Sequence, residues 1–244
     1  MLVLDRVNKH YGKKHALVDF SFEFNSGVYT LLGPNGAGKS TLMNILTDTL
    51  KPDVGSRILY DGKPIYKLGA RYRQKISFMP QSQGMPGAFT ARTFMSYMAA
   101  LKGIDAQLAR RQISGLLRRV ELLDVIDKKI DGFSGGMKQR LLFAQALLGN
   151  PEIIILDEPT AGLDPRQRVI LRGMIETLAT NDGKTIIIST HILSDVEQIA
   201  DQVVIMKQGH LMTAGSVDLL ISQLPKGKSR SLEEVYMTYF DERG

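Results

Sequence analysis

A glycine-rich segment near the N-terminus contains the residue types that bind phosphate. Its sequence, GPNGAGKST, fits the pattern G-x-x-x-x-G-K-[ST]. Glycines at this spacing let backbone N–H groups converge on one point, and a helix that follows adds partial positive charge. Lys39 is predicted to interact with the β- and γ-phosphates, and the Ser40 hydroxyl with Mg²⁺. The residues predicted to surround a nucleotide are Gly33, Pro34, Asn35, Gly36, Ala37, Gly38, Lys39, Ser40 and Thr41.

Two carboxylates follow a short apolar run in the second half of the chain. The run Ile153–Leu156 is typical of a strand covered on both faces, and Asp157 and Glu158 come directly after it. Ligands of open α/β sheets bind at this carboxyl edge. We therefore predict that Asp157 holds Mg²⁺ and that Glu158 polarises an attacking water as a general base.

The elements that must position these groups alternate between strand and helix, which predicts a parallel sheet. The expected helices around the two motifs are Thr41–Leu50 and Val169–Ala179. The expected strands are Val28–Leu32, Ile76–Met79, Ile153–Leu156, Ile186–Ser189 and Val203–Met206.

The first 24 residues alternate between apolar and polar types, which favours half-buried antiparallel strands. Between the two motifs, Thr93–Asn150 is predicted to be mostly helical, with Leu116, Val120 and Leu123 on one buried face. Arginines at 110, 111, 118 and 119 are expected to form a solvated face, with lipid headgroups or a partner as the alternative. We expect one α/β domain, with a core at 1–81 and 151–220, a helical insert at 82–150 and a helical tail at 221–244.

Composition excludes several classes of protein. The 244 residues contain no cysteine, which rules out disulfide scaffolds, thiolate catalysis and cysteine-ligated metal clusters. No apolar run approaches the roughly 20 residues that a spanning helix needs. The N-terminus meets Asp5 too early to form a signal peptide. The net charge of +6 permits contact with nucleic acid or anionic lipid, and we expect no nucleic-acid partner.

A third motif distinguishes among the many proteins that share the first two. The segment Phe133–Arg140 reads FSGGMKQR, lies in the helical insert and resembles the LSGGQ signature of ABC-type ATPases. Four further elements of that family occur in its order, making seven motifs across nearly the whole chain. They are Tyr11 (the aromatic that stacks on adenine), Gln81 (the Q-loop), Asp164 in AGLDP (the D-loop) and His191 (the switch histidine). The chain is thus similar to the ATP-binding subunits of ABC transporters.

This resemblance implies an ATPase that uses ATP and Mg²⁺ and has a P-loop core, an N-terminal antiparallel β subdomain and an inserted helical subdomain. Gln81 would link Mg²⁺ to the helical subdomain, and His191 would contact the γ-phosphate. Two subunits of the family, identical or different, pair head to tail, and Asp164 would join their sites. The residues of one subunit that would cover the partner's ATP are Ser134, Gly135, Gly136 and Met137.

Two positions depart from the family pattern. Phe133 replaces leucine and keeps an apolar anchor, whereas Met137 replaces glutamine and removes a side-chain amide. Because the Ser-Gly-Gly core of the signature is intact, we expect catalysis to survive.

The signature and the C-terminal segment resemble those of ABC-2-type exporters. This implies a separate transmembrane permease that contacts the Q-loop and helical subdomain, and a peripheral location on the cytoplasmic face of the membrane. The candidate docking surface is Ser82–Met98, with ordinary domain packing as the alternative. A C-terminal amphipathic helix is expected to dock on its own domain or to form a dimer contact, through Leu232, Val235, Tyr236 and Tyr239.

Two other functional classes share parts of this set of motifs. An ABC ATPase without a membrane partner, such as an iron–sulfur assembly ATPase, stays open because it is a similar single unit. A P-loop kinase or GTPase is disfavoured because the chain contains the signature, the D-loop and the switch histidine.

Overall fold

The computed structural model describes residues 1–81, 84–225 and 229–240. Its strands are β1 (Leu2–Tyr11), β2 (Lys14–Phe24), β3 (Gly27–Leu32), β4 (Arg57–Tyr60), β5 (Lys63–Pro64), β6 (Ile76–Met79), β7 (Ile153–Asp157), β8 (Thr185–Ser189), β9 (Gln202–Lys207) and β10 (His210–Gly215). Its helices are α1 (Lys39–Leu46), α2 (Ile65–Leu68), α3 (Ala70–Lys75), α4 (Ala91–Leu101), α5 (Ala106–Arg119), α6 (Gly135–Ala146), α7 (Pro165–Thr180), α8 (Leu193–Ile199), α9 (Val217–Ser222) and α10 (Leu232–Phe240).

A six-stranded sheet forms the centre of the fold, in the order β10-β9-β3-β8-β7-β6. All neighbours in it are parallel except β10, which runs antiparallel to β9. The register sets Leu31 of β3 and Asp157 of β7 on either side of Ser189 of β8. The carboxyl ends of three neighbouring strands therefore meet at one edge, where the glycine-rich segment, the carboxylate pair and the segment containing His191 begin.

The two faces of this sheet carry different layers. On the face that bears Leu31, α1 and the antiparallel sheet β2-β1-β4-β5 pack into one apolar cluster. On the opposite face, α4 to α7 pack over Ile154, Ile186 and their neighbours. Next to them, α8 to α10 cover Leu32, Val203 and Ile205. The expected α/β class, with an antiparallel β subdomain and an inserted helical subdomain, is confirmed.

Several element boundaries differ from the sequence predictions. The helix after the glycine-rich segment ends at Leu46 rather than Leu50, because Asp48 adopts a left-handed backbone with φ 58°. Leu123 packs half-buried against the same apolar cluster as Leu116 and Val120, as predicted, but it lies beyond the end of α5 and does not continue its face. The helix ends at Arg119, Glu121 is left-handed with φ 55°, and Leu122 fills the buried position instead.

The four arginines of α5 are exposed, as expected of a solvated helix face. Within the described ranges, we find no helix that is both long enough and apolar enough to cross a bilayer.

Candidate nucleotide site

A pocket of about 570 Å³ opens at the carboxyl edge of the central sheet. It brings together the whole run 33–41 with Tyr11, Gln81, Asp157, Glu158 and His191, all of which the sequence singles out. The antiparallel sheet and helix α10 complete its walls. The lining residues that sequence analysis did not assign to a nucleotide site are Lys14, Ala16, Ser189, Thr190 and Tyr236.

The glycines of the phosphate loop permit close contact with two other chain segments. Gly33 has φ 154°, and a Cβ built there would lie 2.3 Å from the carbonyl oxygen of Met206. Gly38 has φ 107°, and its Cβ would lie 2.5 Å from the carbonyl oxygen of Ala16. Because both neighbours are backbone atoms, these positions accept only glycine. The loop is therefore clamped between β2 and the end of β9.

The loop and the first turn of α1 present unused backbone donors to the pocket. Among the described residues, none accepts a hydrogen bond from the N–H groups of Gly36, Gly38, Lys39, Ser40 or Thr41. A helix N-terminus with free N–H groups is a ready site for phosphate oxygens. This arrangement matches the chemistry predicted for the segment.

The Lys39 ammonium group adds a positive charge to the pocket. Its Nζ donates hydrogen bonds to the carbonyl oxygens of Gly33 (2.5 Å) and Pro34 (3.1 Å). Burial lowers the pKa of Lys39, and the negative charges of Glu158 and Asp157 raise it in part. The ammonium group is thus held at the loop and close to both carboxylates.

Asp157 and Glu158 are held in different ways at the end of β7. The Ser189 hydroxyl donates a hydrogen bond to the carboxylate of Asp157. Glu158 adopts a left-handed backbone with φ 48°, and its N–H donates to the carbonyl oxygen of Ser189 at 3.0 Å. The turn in the backbone directs two consecutive carboxylates into one pocket.

The Glu158 carboxylate is mostly buried, and only one of its two oxygens has a hydrogen-bond partner. Its Oε1 lies 2.9 Å from Nδ1 of His191. Its Oε2 is buried and has no hydrogen-bond partner among the residues that the structure describes. A carboxylate oxygen without a protein partner can accept a proton from a water molecule once it turns toward the pocket, whereas in this conformation Oε2 is shielded from solvent.

The donor set of the pocket suits Mg²⁺. Mg²⁺ prefers oxygen ligands and is held by one or two carboxylates together with substrate phosphates rather than by an all-protein cage. Ser40, Gln81 and Asp157 line the same pocket and supply a hydroxyl, an amide oxygen and a carboxylate. Over the described ranges no group of three or more histidine, aspartate or glutamate side chains could hold a metal without such phosphates.

The signature residues lie outside this pocket. Ser134 begins α6, and its Oγ accepts a hydrogen bond from the N–H of Met137 at 3.3 Å. Ser134 and Gly135 are exposed, while the Met137 side chain packs against the core. The start of α6 thus leaves Ser134 and Gly135 accessible to solvent, while Gly136 and Met137 face the protein.

The D-loop meets the signature at this separate surface. Gly136 lies against the side chain of Gln167, whose Oε1 would be 2.3 Å from a Cβ at that position. The N–H of Gln167 in turn donates to Oδ1 of Asp164 at 2.9 Å, which caps α7. The structure therefore places Ser134–Met137 and Asp164 beside one another and does not bring them to the phosphate loop of their own chain.

Two polar residues that the sequence did not single out hold the turn after Glu158. Gln139 on α6 is 8% exposed, and its Nε2 donates to the carbonyl oxygens of Glu158 (3.1 Å) and Pro159 (3.2 Å). Asp195 on α8 accepts hydrogen bonds from Thr160 (2.7 Å) and Arg172 (2.9 Å). Gln139 lies between Lys138 and Arg140, so the sequence around it gives no sign that its side chain is buried.

Comparisons with known proteins agree with this architecture. A family model described as ABC transporter matches residues 17–161. The chain is 36% identical over 216 residues to Nod factor export ATP-binding protein I of Burkholderia orbicola, covering 88% of this chain and 70% of that protein. It is 34% identical over 225 residues to the linearmycin resistance ATP-binding protein LnrL of Bacillus subtilis, covering 92% and 72%.

Solved structures show the same fold over nearly the whole chain. An ATP-binding subunit of an ABC transporter superposes with a TM-score of 0.86 and 28% identity over 98% of both chains. The protein cbiO1 of Clostridium perfringens, described as part of the complex cbiONQ, has a TM-score of 0.80 and 30% identity over 91% of this chain and 90% of that one. The cassette MJ0796, as a dimer with ADP and Pi, has a TM-score of 0.79 and 26% identity over 88% of this chain and 98% of that one. The chain belongs to the ABC transporter family and is an ATP-binding subunit with ATPase activity.

Proposed function

We propose that this ATPase subunit drives export through a separate membrane subunit, by closing a head-to-tail dimer on ATP and reopening it after hydrolysis. The observation that carries the proposal is the division of the predicted site. The phosphate loop, Asp157, Glu158 and His191 share one pocket, whereas Ser134 and Asp164 lie at another surface. A second subunit facing this pocket would supply the missing signature. Because ATP would then bind both subunits, its binding favours the closed state.

Each pocket residue has a distinct proposed role. The unused N–H groups of the phosphate loop and the Lys39 ammonium bind the β- and γ-phosphates. Ser40, Asp157 and Gln81 hold Mg²⁺, which supplies charge neutralisation for the phosphates. The Glu158 carboxylate, which lines the pocket, accepts the proton of the attacking water.

The aromatic and imidazole side chains orient these groups. Tyr11 is half exposed at the tip of the β1–β2 hairpin, where it stacks on adenine. His191 fixes Glu158 through Nδ1, which leaves Nε2 for the γ-phosphate. The Ser134 hydroxyl and the backbone N–H groups of the first turn of α6 point to the γ-phosphate held by the partner.

The membrane subunit is proposed to dock on the helical subdomain beside the Q-loop. Within the predicted surface Ser82–Met98, Tyr97 on α4 faces solvent, and the centroid of its ring lies 6.2 Å from that of Phe89. Part of the predicted surface, Ser82 and Gln83, lies outside the described residues. Docking at this surface would hold the subunit on the cytoplasmic face of the membrane.

The direction of transport rests on relatives. The names of two of them refer to export of Nod factor and to linearmycin resistance. Purifying the chain from membranes that contain a co-expressed permease tests the membrane partner, and we expect the two proteins to be recovered together. Recovery of the chain with a soluble assembly complex would instead support the alternative without a membrane partner.

Glu158→Gln tests the ATPase cycle. We expect ATP binding to persist, hydrolysis to fall about 10²- to 10⁴-fold because the general base is lost, and ATP to hold the variant as a dimer in size-exclusion chromatography. The matched control is Glu176→Gln, which alters an exposed glutamate of α7. Normal turnover by Glu158→Gln would remove Glu158 from the mechanism.

Two further variants separate binding from dimer closure. Lys39→Ala should lose ATP binding because no ammonium group then interacts with the negative charge of the β- and γ-phosphates. Ser134→Arg should bind ATP as a monomer, since Ser134 faces the partner's nucleotide. An ATP-dependent dimer of Ser134→Arg would contradict the head-to-tail arrangement.

A further inference from the structure

We propose that Tyr236 on the C-terminal helix α10 is a further nucleotide-contacting residue, whose hydroxyl donates a hydrogen bond to the phosphate chain. The inference rests on the proposed nucleotide site and extends it to an element that carries none of the family motifs. Tyr236 lines the same pocket as the phosphate loop, 195 positions after Thr41.

Helix α10 is fixed to the sheet directly behind the phosphate loop. Leu232 and Val235 are 0% and 2% exposed and pack in one apolar cluster with Leu32, the residue before Gly33. At the other end of the helix, Nζ of Lys207 donates to the carbonyl oxygen of Tyr239 at 2.8 Å. Tyr236 lies between these attachments, so its position relative to the loop is well defined.

The segment that anchors α10 also braces the phosphate loop. Lys207 ends β9, and two residues later the N–H of Gly209 donates to the carbonyl oxygen of Ala37 at 2.9 Å. The carbonyl of Met206 lies where a Cβ of Gly33 would be. One short segment, Met206–Gly209, thus contacts the loop through its backbone and α10 through the Lys207 side chain.

The two tyrosines of the pocket approach it from opposite faces of the sheet. Tyr11 belongs to the antiparallel sheet, which packs on the face that bears Leu31. Tyr236 belongs to the helical layer over the face that bears Leu32. In that layer α10 contacts α8, which begins two residues after His191. Tyr236 therefore enters from the side of the switch histidine rather than the side proposed for adenine.

The chemistry of the Tyr236 side chain suits a phosphate oxygen. Its ring packs against Phe240, with centroids 4.4 Å apart. Partial burial raises the pKa of Tyr236, which keeps the hydroxyl protonated as a donor. Among the described residues, no group forms a hydrogen bond with this hydroxyl. A neutral donor without a protein partner can bind an anionic ligand at no cost in broken protein contacts.

Tyr236→Phe removes only the hydroxyl, and Tyr239→Phe is its matched control. Tyr239 lies on the same helix but does not line the pocket. We would measure the Kd for ATP and for ADP by isothermal titration calorimetry with Mg²⁺, in the Glu158→Gln background so that ATP persists. Loss of one hydrogen bond to a charged group should weaken ATP binding about tenfold. Tyr239→Phe should match the parent.

Hydrogen exchange provides a second readout. Nucleotide should slow exchange of the α10 amides in the parent protein and not in Tyr236→Phe. Equal Kd values for Tyr236→Phe and its parent would overturn the inference, provided that Lys39→Ala loses ATP binding. If Lys39→Ala binds ATP normally, the proposed site itself is wrong, which distinguishes the two failures.

Discussion

Gln139→Leu offers a test of how the fold holds the proposed general base. The substitution puts an apolar side chain one atom shorter inside α6 and removes both hydrogen bonds to the carbonyl oxygens of Glu158 and Pro159. Because Gln139 does not line the nucleotide pocket, the change leaves every proposed contact with ATP in place. An effect on turnover would therefore act through the turn after β7 or through the first turn of α6, and a control substitution on the same helix separates the two.

The expected magnitude follows from the balance of restraint and strain at Glu158. Each lost hydrogen bond contributes about 0.5 to 1.5 kcal/mol. A left-handed backbone at a residue other than glycine costs about 1 to 2 kcal/mol, and Glu158 has φ 48°. Since the restraint removed is comparable to the strain it opposes, the turn can relax. A shift of about 1 Å in a catalytic group costs about 10²-fold in rate.

Steady-state ATPase kinetics and ATP titration measure the outcome. We expect kcat to fall about 10²-fold for Gln139→Leu, while KM and the Kd for ATP stay within about twofold of wild type. The matched control is Gln145→Leu, which removes another buried amide of α6 that does not contact Glu158. A normal kcat, or equal losses in both variants, would refute a positioning role for Gln139.

Three other substitutions test the fold around the site. Burial lowers the pKa of Lys102 to about 8, so the unfolded chain binds more protons between pH 8 and 10.5 and wild-type stability rises with pH there. Relative to Lys102→Met, wild type should gain up to about 3 kcal/mol across that range in urea unfolding; a constant difference would contradict this pKa. Asp195→Asn removes the buried partner of Arg172 and should lower the free energy of unfolding by about 3 kcal/mol, whereas an unchanged Tm would show that the pair adds nothing. Gly33→Ala puts a Cβ against the Met206 carbonyl and should abolish ATP binding by calorimetry, and a variant that still binds would show that the loop can shift.

The parts of the site that the sequence predicted best depend on short-range spacing. The run 33–41 forms one phosphate-binding segment because its glycines directly precede helix α1 in the sequence. Asp157 and Glu158 reach the same pocket because both follow an apolar run, and carboxyl ends of parallel strands share an edge. Phe133, expected as an apolar anchor, is 6% exposed.

The remaining contacts depend on which distant segments pack together. Nothing in the spacing of α6 shows that Gln139 reaches the turn after β7, because that contact is set by how the helix lies on the sheet. The periodicity of α10 predicts Tyr236 on the docked face with Leu232, Val235 and Tyr239. In the structure those three pack in the apolar cluster, whereas Tyr236 lines the nucleotide pocket. Residues at element ends were also less predictable, since left-handed positions such as Glu121 end helices without a glycine.

The clamp around the phosphate loop has a consequence for biosynthesis. Ala16 closes the loop from one side, and Met206 and Gly209 close it from the other. The ribosome synthesises Met206 and Gly209 long after the loop itself. Contacts between such distant segments form late in folding because the intervening chain must first be ordered. A growing chain therefore carries its phosphate-binding residues for most of its synthesis without the walls that shape them. We infer that it gains nucleotide affinity only after the β9–β10 hairpin leaves the ribosome.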